Sequence, residues 1–390
     1  MAEGLLVRLE RTLAERGRQD RWWSLNLEGE DPRQFLSELV MGLKGASGEK
    51  KIENRHRYIG LRPTIAWLQS CRDPSYPVMY DSLESFARLW DRCQDALDSE
   101  TPYHYVSLGV GDGDKDRHVI DRLGLDGSGR FYLGIDISSH MLRLGTRETS
   151  RRLPGRLLPI ELDFEGAASI RVLRELLDSL VGDEPILFSL LGNTLGNVDR
   201  DLEFTRNLTM LLNPQDRLAI EVGTTDRLDA ATAGEAARER DVSRSYKEFA
   251  TAALGMYTNL SIDTNWLEFS GSIEDGHAVR VEGRYVNKSG QPIMMMLPNG
   301  EAIPYLPDEG IRVLLGRKYF LEGLLAHLAD ADLSELAVEG TARRTDDPTI
   351  ATTTGFGLAL MLLKYEPQAQ QQSKLGKVWG PQAVPPMRLG

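Results

Sequence analysis

Between Tyr103 and Val222 short apolar runs alternate with amphipathic stretches, a rhythm that leaves few folds open. Tyr103–Leu108 is a β-type run ending in glycines, Asp116–Leu123 reads as a helix and Arg130–Ile135 as the next strand. Leu157–Leu162, Pro185–Leu191 and Arg217–Val222 continue the strands, with helices from about Ala168 to Val181 and Leu202 to Leu212 between them. Strands separated by helices predict an α/β fold with a doubly wound parallel sheet. The chain of 390 residues is longer than one such core, since domains run to roughly 150 residues. The excess lies on both sides. Residues 1–100 read as helical, with Leu5, Leu6, Leu9 and Leu13 and later Leu83, Phe86, Leu89, Trp90 and Leu97 at helical spacing, around a Gly- and Lys-rich loop at Gly42–Lys51. The core is assigned to 101–226. A unit at 227–310 follows, with an Ala- and Arg-rich helical stretch Ala230–Leu254 and strand-like segments from Ser261 to Leu306 around two turns. Residues 311–366, with a helix at Lys318–Ala331 and a buried strand at Gly357–Leu363, return to the core, and 367–390 reads as an extended or disordered tail.

Composition removes several functional classes. A formal charge of -12, from 46 Lys+Arg against 58 Asp+Glu, opposes binding to a phosphate backbone, so nucleic acid is not an expected partner. No apolar run approaches the ~18 residues of a spanning helix. The first residues carry Glu3, Glu10 and Glu15 and read as an amphipathic helix, not a signal peptide, which predicts a cytoplasmic protein. Cys71 and Cys93, in neither a C-x-x-C nor a ligand spacing, and scattered histidines without H-E-x-x-H predict no metal site.

The strongest local signal is Ser107-Leu-Gly-Val-Gly-Asp-Gly-Asp-Lys115, at the end of the first strand. Gly109 and Gly111 let the backbone pass close to a ligand. Asp136, closing the second strand, can accept from both hydroxyls of a ribose, or can cap the helix that follows. A dinucleotide loop would carry G-x-G-x-x-G facing a pyrophosphate. Here the third glycine comes one residue early, and Asp112 and Asp114 would repel a diphosphate. Those carboxylates suit a zwitterionic amino-acid tail, whose ammonium wants acceptors and whose carboxylate wants Lys115, and so the loop points to S-adenosylmethionine. Asp163-Phe164 after the third strand offers an acceptor for an adenine amino group and a wall for its ring, or else ordinary turn chemistry. Beyond the fourth strand, Gly192-Asn-Thr-Leu-Gly-Asn197 lies where ligands bind in open α/β sheets. Asn197 can offer one acceptor and two donors to a substrate amine or carboxylate, or can satisfy loop backbone as Asn193 can.

In this order and spacing, Leu108-Gly-Val-Gly…Lys115, Asp136-Ile-Ser138, Asp163-Phe164 and Leu191-Gly-Asn-Thr-Leu-Gly-Asn197 resemble the ergothioneine-pathway histidine α-N-methyltransferase family. The resemblance implies a Rossmann-like class I methyltransferase core, an S-adenosylmethionine donor leaving as S-adenosylhomocysteine, and a substrate domain built from the N-terminal helices and the 227–310 insertion. It further implies donor contacts from Gly109, Lys115, Asp136, Asp163 and Phe164, with Gly192 and Asn197 at the amino-acid portion of the substrate.

The departures bear on the substrate. Ser107 stands where the family's loop begins with an acidic residue. The family's Glu and Ser for the imidazole align with Leu314 and Gly316, within Val313–Tyr319. An imidazole N–H buried against Leu314 would lose its partner, at about 1–3 kcal/mol. Free histidine is therefore not the expected acceptor, and a small amino acid-like molecule with an apolar or aromatic side chain is, methylated at nitrogen, in secondary metabolism. His56, Tyr58, Tyr76 and Tyr80 are candidate lid residues, of which Tyr58 and Tyr80 are assigned to the substrate, as are Leu314 and Gly316. A donor-binding regulatory protein without catalysis and a peptide or protein methyltransferase are the alternatives. A monomer or dimer is expected.

Overall fold

The computed structural model describes residues 24–27, 32–341 and 355–367. The helix expected at the N-terminus and nearly all of the expected tail lie outside them. Strands β1 (Leu25–Asn26), β2 (His104–Leu108), β3 (Tyr132–Asp136), β4 (Leu157–Glu161), β5 (Ile186–Leu190) and β6 (Arg217–Thr225) pair in parallel in the order β1-β4-β3-β2-β5-β6. The order reverses at β2, which pairs β3 on one side and β5 on the other, so a crevice opens at the carboxyl ends of β2 and β5. Strands β2, β3 and β5 are buried on both faces, which explains their unbroken apolar runs.

The crossover helices follow from spacing. In Ala167–Val181, Ile170, Leu173, Leu177 and Val181 share one face and enter the core with Val106, Ile160 and Phe188. Helix Ser139–Arg152 starts where the Ser138 hydroxyl accepts from the Met141 amide at 3.4 Å.

The remaining strands are β7 (Leu267–Glu274), β8 (Ala278–Val286), β9 (Ile293–Met296), β10 (Ala302–Tyr305), β11 (Gly310–Phe320), β12 (Leu333–Gly340) and β13 (Phe356–Tyr365). β13 runs antiparallel to β6 and β12 antiparallel to β13, closing the core sheet. β7, β8 and β11 form an antiparallel segment, and β9 with β10 a separate pair. β5 pairs β6 only as far as Leu190↔Ile220. On the edge of β6 left free beyond that point, Tyr319 and Phe320 of β11 pair in parallel with Thr224 and Thr225. The antiparallel segment is thereby hydrogen-bonded to the core sheet just beyond the end of β5.

Three local expectations change. Lys318 is in β11, and the helix begins at Leu321 because Gly316–Phe320 are already committed to strand pairing. The helical stretch after Ala230 is two helices, Ala230–Asp241 and Arg244–Tyr257, the second capped by the Ser243 hydroxyl accepting from Tyr246 N at 3.1 Å. β12 had no counterpart in the sequence reading, since Leu333–Gly340 is a half-buried strand whose two glutamates break the apolar pattern. Helices Leu61–Cys71 and Arg244–Tyr257 pack on one another over a second core that holds Tyr76, Tyr246, Phe249, Tyr285 and Leu314. No helix among the described residues is long and apolar enough to cross a membrane.

The glycine loop rests on helix Ser139–Arg152 with no room for side chains. A β-carbon on Gly145 would stand 2.4 Å from a Val110 methyl and 2.8 Å from the Gly111 carbonyl oxygen. Gly145→Ala is expected to lower stability by about 1–3 kcal/mol through overpacking, read as a lower urea midpoint with an unchanged slope.

Candidate functional site

The loop after β2 turns on three glycines with positive φ: Gly109 (84°), Gly111 (58°) and Gly113 (74°). They serve different ends. A β-carbon on Gly113 would strike the Gly145 carbonyl oxygen at 2.1 Å, so the third glycine belongs to packing. On Gly109 it would touch the Thr194 hydroxyl at 3.5 Å and the Phe164 ring at 3.6 Å. The loops after β2, β4 and β5 therefore converge on Gly109, leaving backbone bare toward the crevice. On Gly111 it would meet the Trp67 ring at 3.1 Å, since helix Leu61–Cys71 reaches across the loop.

Beneath the loop, Asp116 anchors the following helix, Asp114–Arg122. Its buried carboxylate accepts from Tyr132 Oη (2.6 Å), Tyr105 Oη (2.7 Å) and Ser107 Oγ (2.9 Å). Ser107 thus takes a small share in a network whose charge sits on the helix, and burial pushes the Asp116 carboxyl up to about 6.

Asp136 ends β3, is 7% exposed, and accepts from Ser138 N at 2.9 Å and Gly111 N at 3.4 Å. Burial pushes its carboxyl up to about 6 against those two amides. Lys115 is already partnered: its Nζ is 2.5 Å from Glu221 Oε2 on β6. The same oxygen accepts from Gly192 N at 2.7 Å, and Glu221 is wholly buried with Oε1 unpartnered. Asp163 accepts from Arg55 Nη1 at 2.9 Å and from Glu165 N at 3.1 Å, so the helical turn Asn54–Arg57 is tied to it. Asp114 pairs with Arg117, and Asp112, pushed up by burial, accepts from Asp114 N.

The two asparagines after β5 differ. Asn193 is structural: at φ 60° its side chain accepts from Gly223 N at 2.8 Å and donates to the Arg317 carbonyl at 3.2 Å. Asn197, ending the short helical turn Thr194–Asn197, makes no side-chain hydrogen bond among the described residues, and its Oδ1 lies 3.6 Å from where a β-carbon on Gly316 would stand. Leu314, on the same strand, is buried in the second core with Tyr246 and Phe249. Tyr58 packs on Phe249 with ring centres 5.6 Å apart, and burial raises its phenol above the usual value. Tyr80 is 53% exposed, while Tyr76 is buried against Tyr246. His56 is buried with Nε2 3.1 Å from the Phe35 carbonyl.

Three further residues lie here that the sequence reading passed over. Glu221 left a signal, a lone charge inside the apolar run Leu218–Val222. Arg57 and Arg240 left none, because each is one of several arginines in a helical stretch, yet both are buried. Among the described residues no group of three or more His, Cys, Asp or Glu is placed to hold a metal ion.

Residues 65–338 match the family described as "Histidine-specific methyltransferase, SAM-dependent". No curated protein matches the sequence. Solved structures similar to the chain include the 1,6-didemethyltoxoflavin-N1-methyltransferase of Burkholderia thailandensis, at 10% identity over 88% of this chain and 94% of that one, TM-score 0.34. A SAM-dependent methyltransferase of Leishmania major aligns at 12% identity over 77% and 82%, TM-score 0.37. A phosphoethanolamine N-methyltransferase of Haemonchus contortus aligns at 10% over 79% and 61%, TM-score 0.35.

Removing one partner of a buried ion pair leaves the other uncompensated. Glu221→Met is expected to cost about 3–5 kcal/mol in chemical denaturation, with Lys115→Met on the same chain recovering most of it.

Proposed function

Because the chain belongs to the histidine-specific, S-adenosylmethionine-dependent methyltransferase family, we propose that it methylates the amine nitrogen of a small amino acid-like substrate other than free histidine. The observation that carries this reading is the convergence of Gly109, Phe164 and Thr194 at the ends of β2, β4 and β5, beside the acceptor Asp136. These residues fit the donor: bare backbone at Gly109 for close approach, a carboxylate at Asp136 for ribose hydroxyls, and the Phe164 ring for the adenine. Bound there, S-adenosylmethionine would supply an electrophilic methyl group for the lone pair of a neutral amine, the electrons of the broken carbon–sulfur bond remaining on sulfur.

The chain's own share is alignment and exclusion of water. Trp67 covers the glycine loop, and Arg55 fastens its helical turn to Asp163, so the N-terminal helices close over the crevice. Asn197, with its amide uncommitted, is the group to orient the amino-acid end of the acceptor, near Gly192. Tyr58, its phenol raised by burial, presents a neutral hydroxyl at pH 7. At the imidazole position Leu314 offers no acceptor, which disfavours histidine by about 1–3 kcal/mol, or roughly fivefold to 150-fold.

Calorimetric titration with S-adenosylhomocysteine tests the donor half, and mass-spectrometric detection of methyl transfer to amines in a metabolite extract tests the acceptor half. Donor binding without turnover would favour a regulatory protein. Asp136→Ala is expected to weaken S-adenosylhomocysteine at least tenfold. Ribose hydroxyls donate better to a carboxylate than to the acid, so affinity should fall as pH drops through about 6 and level off above it. Asp136→Asn should flatten that profile; a wild-type affinity constant from pH 5 to 8 would remove Asp136 from the donor site.

A further inference from the structure

Arg240, near the end of helix Ala230–Asp241, is 8% exposed and has no carboxylate within ion-pair distance among the described residues. Its Nη1 donates to Tyr76 Oη at 2.5 Å and Tyr246 Oη at 2.8 Å. Its Nε is buried with no acceptor. Its Nη2 lies 3.5 Å from where a β-carbon on Gly316 would stand, the same point that Asn197 Oδ1 approaches. One edge of the guanidinium is thus spent on two phenols, and the Nε–Nη2 edge, which pairs with a carboxylate through two parallel bonds, is free. The neighbouring Glu239 carboxylate attracts the guanidinium from a distance but makes its direct ion pair with Lys318 Nζ, at 2.6 Å. The two tyrosine rings stabilise the cation, with centres 5.9 and 5.1 Å away, but they leave the Nε proton unpaired.

A second guanidinium is also buried, with its Nη2 spent on Asn54 Oδ1 and Tyr58 Oη and its Nε unpartnered. Arg57 is 2% exposed, lies over the Tyr58 and Phe249 rings, donates to the neutral Asn54 side chain, and among the described residues has no carboxylate within ion-pair distance. Phe249 and Tyr246 connect the two. A buried guanidinium with no carboxylate in direct contact is costly unless an ionic ligand supplies the partner.

We infer that Arg240 determines specificity by gripping a side-chain carboxylate of the acceptor, with Arg57 holding the other carboxylate, so that the substrate class is an amino dicarboxylic acid. The inference rests on the proposed function for the identity of the pocket, and it replaces the apolar or aromatic side chain expected from Leu314. Gly316 contributes by having no side chain in the space between Arg240 and Asn197.

The test titrates the S-adenosylhomocysteine-loaded full chain calorimetrically with aspartate, glutamate and 2-aminoadipate, each against its ω-amide. At least one acid should bind tenfold or more tighter than its amide. Arg240→Met should bring that acid to the level of the amide with S-adenosylhomocysteine affinity within twofold of wild type, and Arg240→Lys should restore part of the preference. Arg57→Met should weaken acid and amide alike. Gly316→Ser, whose hydroxyl would occupy the free edge, should also reduce the preference. If no acid exceeds its amide, or Arg240→Met keeps the preference, the inference is overturned. The same titrations without S-adenosylhomocysteine separate the two readings, since acid preference in a chain that binds no donor would keep the clamp and remove the methyltransferase.

Discussion

The crevice depends on one buried carboxylate. Glu221, in the middle of an otherwise apolar strand, binds Lys115 from the helix after the glycine loop and the Gly192 amide from the loop after β5. Three chain segments that meet only at the switch point are thereby held to one oxygen atom. Glu221 is shut off from water and Lys115 nearly so, which makes their attraction large and also the penalty for parting them. That pairing also assigns Lys115 a position: it faces the sheet through Glu221, and its charge is already answered before any ligand arrives.

A second set of ion pairs joins the parts that the sheet does not. Asp199, just beyond Asn197, accepts from Lys51 at 2.6 Å and from both Nη atoms of Arg312 at 2.8 and 3.0 Å. Burial would push its carboxyl up, but these bonds hold it well below the usual range. Lys51 comes from the N-terminal helical region and Arg312 from β11, so one carboxylate unites both with the loop after β5. Arg317, fully buried, does similar work with Glu274 and the carbonyl of Val198. The N-terminal helical region and β11 are thus fastened electrostatically to the loop after β5, and the second core beside them holds two guanidiniums that, among the described residues, have no direct carboxylate partner.

How much of this was legible depends on the range of the interaction. The strands, the glycine loop, Asp136, Phe164 and the loop after β5 are short-range patterns of apolar period and backbone freedom, and they lie where their spacing puts them. Asn193 and Asn197 look alike in sequence, and only the approach of Gly223 and Arg317 makes the first structural. Tyr80 and Tyr58 are equally plausible aromatics in a helical region, yet one faces solvent and the other packs on Phe249. β12, with Glu335 and Glu339 along a half-buried strand, had no local pattern to announce it.

The sequence by itself determined the layered α/β core and the loop chemistry that suits S-adenosylmethionine, because periodicity and glycine placement act between near neighbours. The tertiary structure decided which charges are answered. Lys115 and Asp163, which their motifs offer to a ligand, are taken by Glu221 and Arg55, whereas Arg57 and Arg240, in charge-rich helical stretches, are buried with Nε unpartnered. Pairing of charges across the fold is a matter of distances between residues far apart in the chain, and no local pattern encodes them.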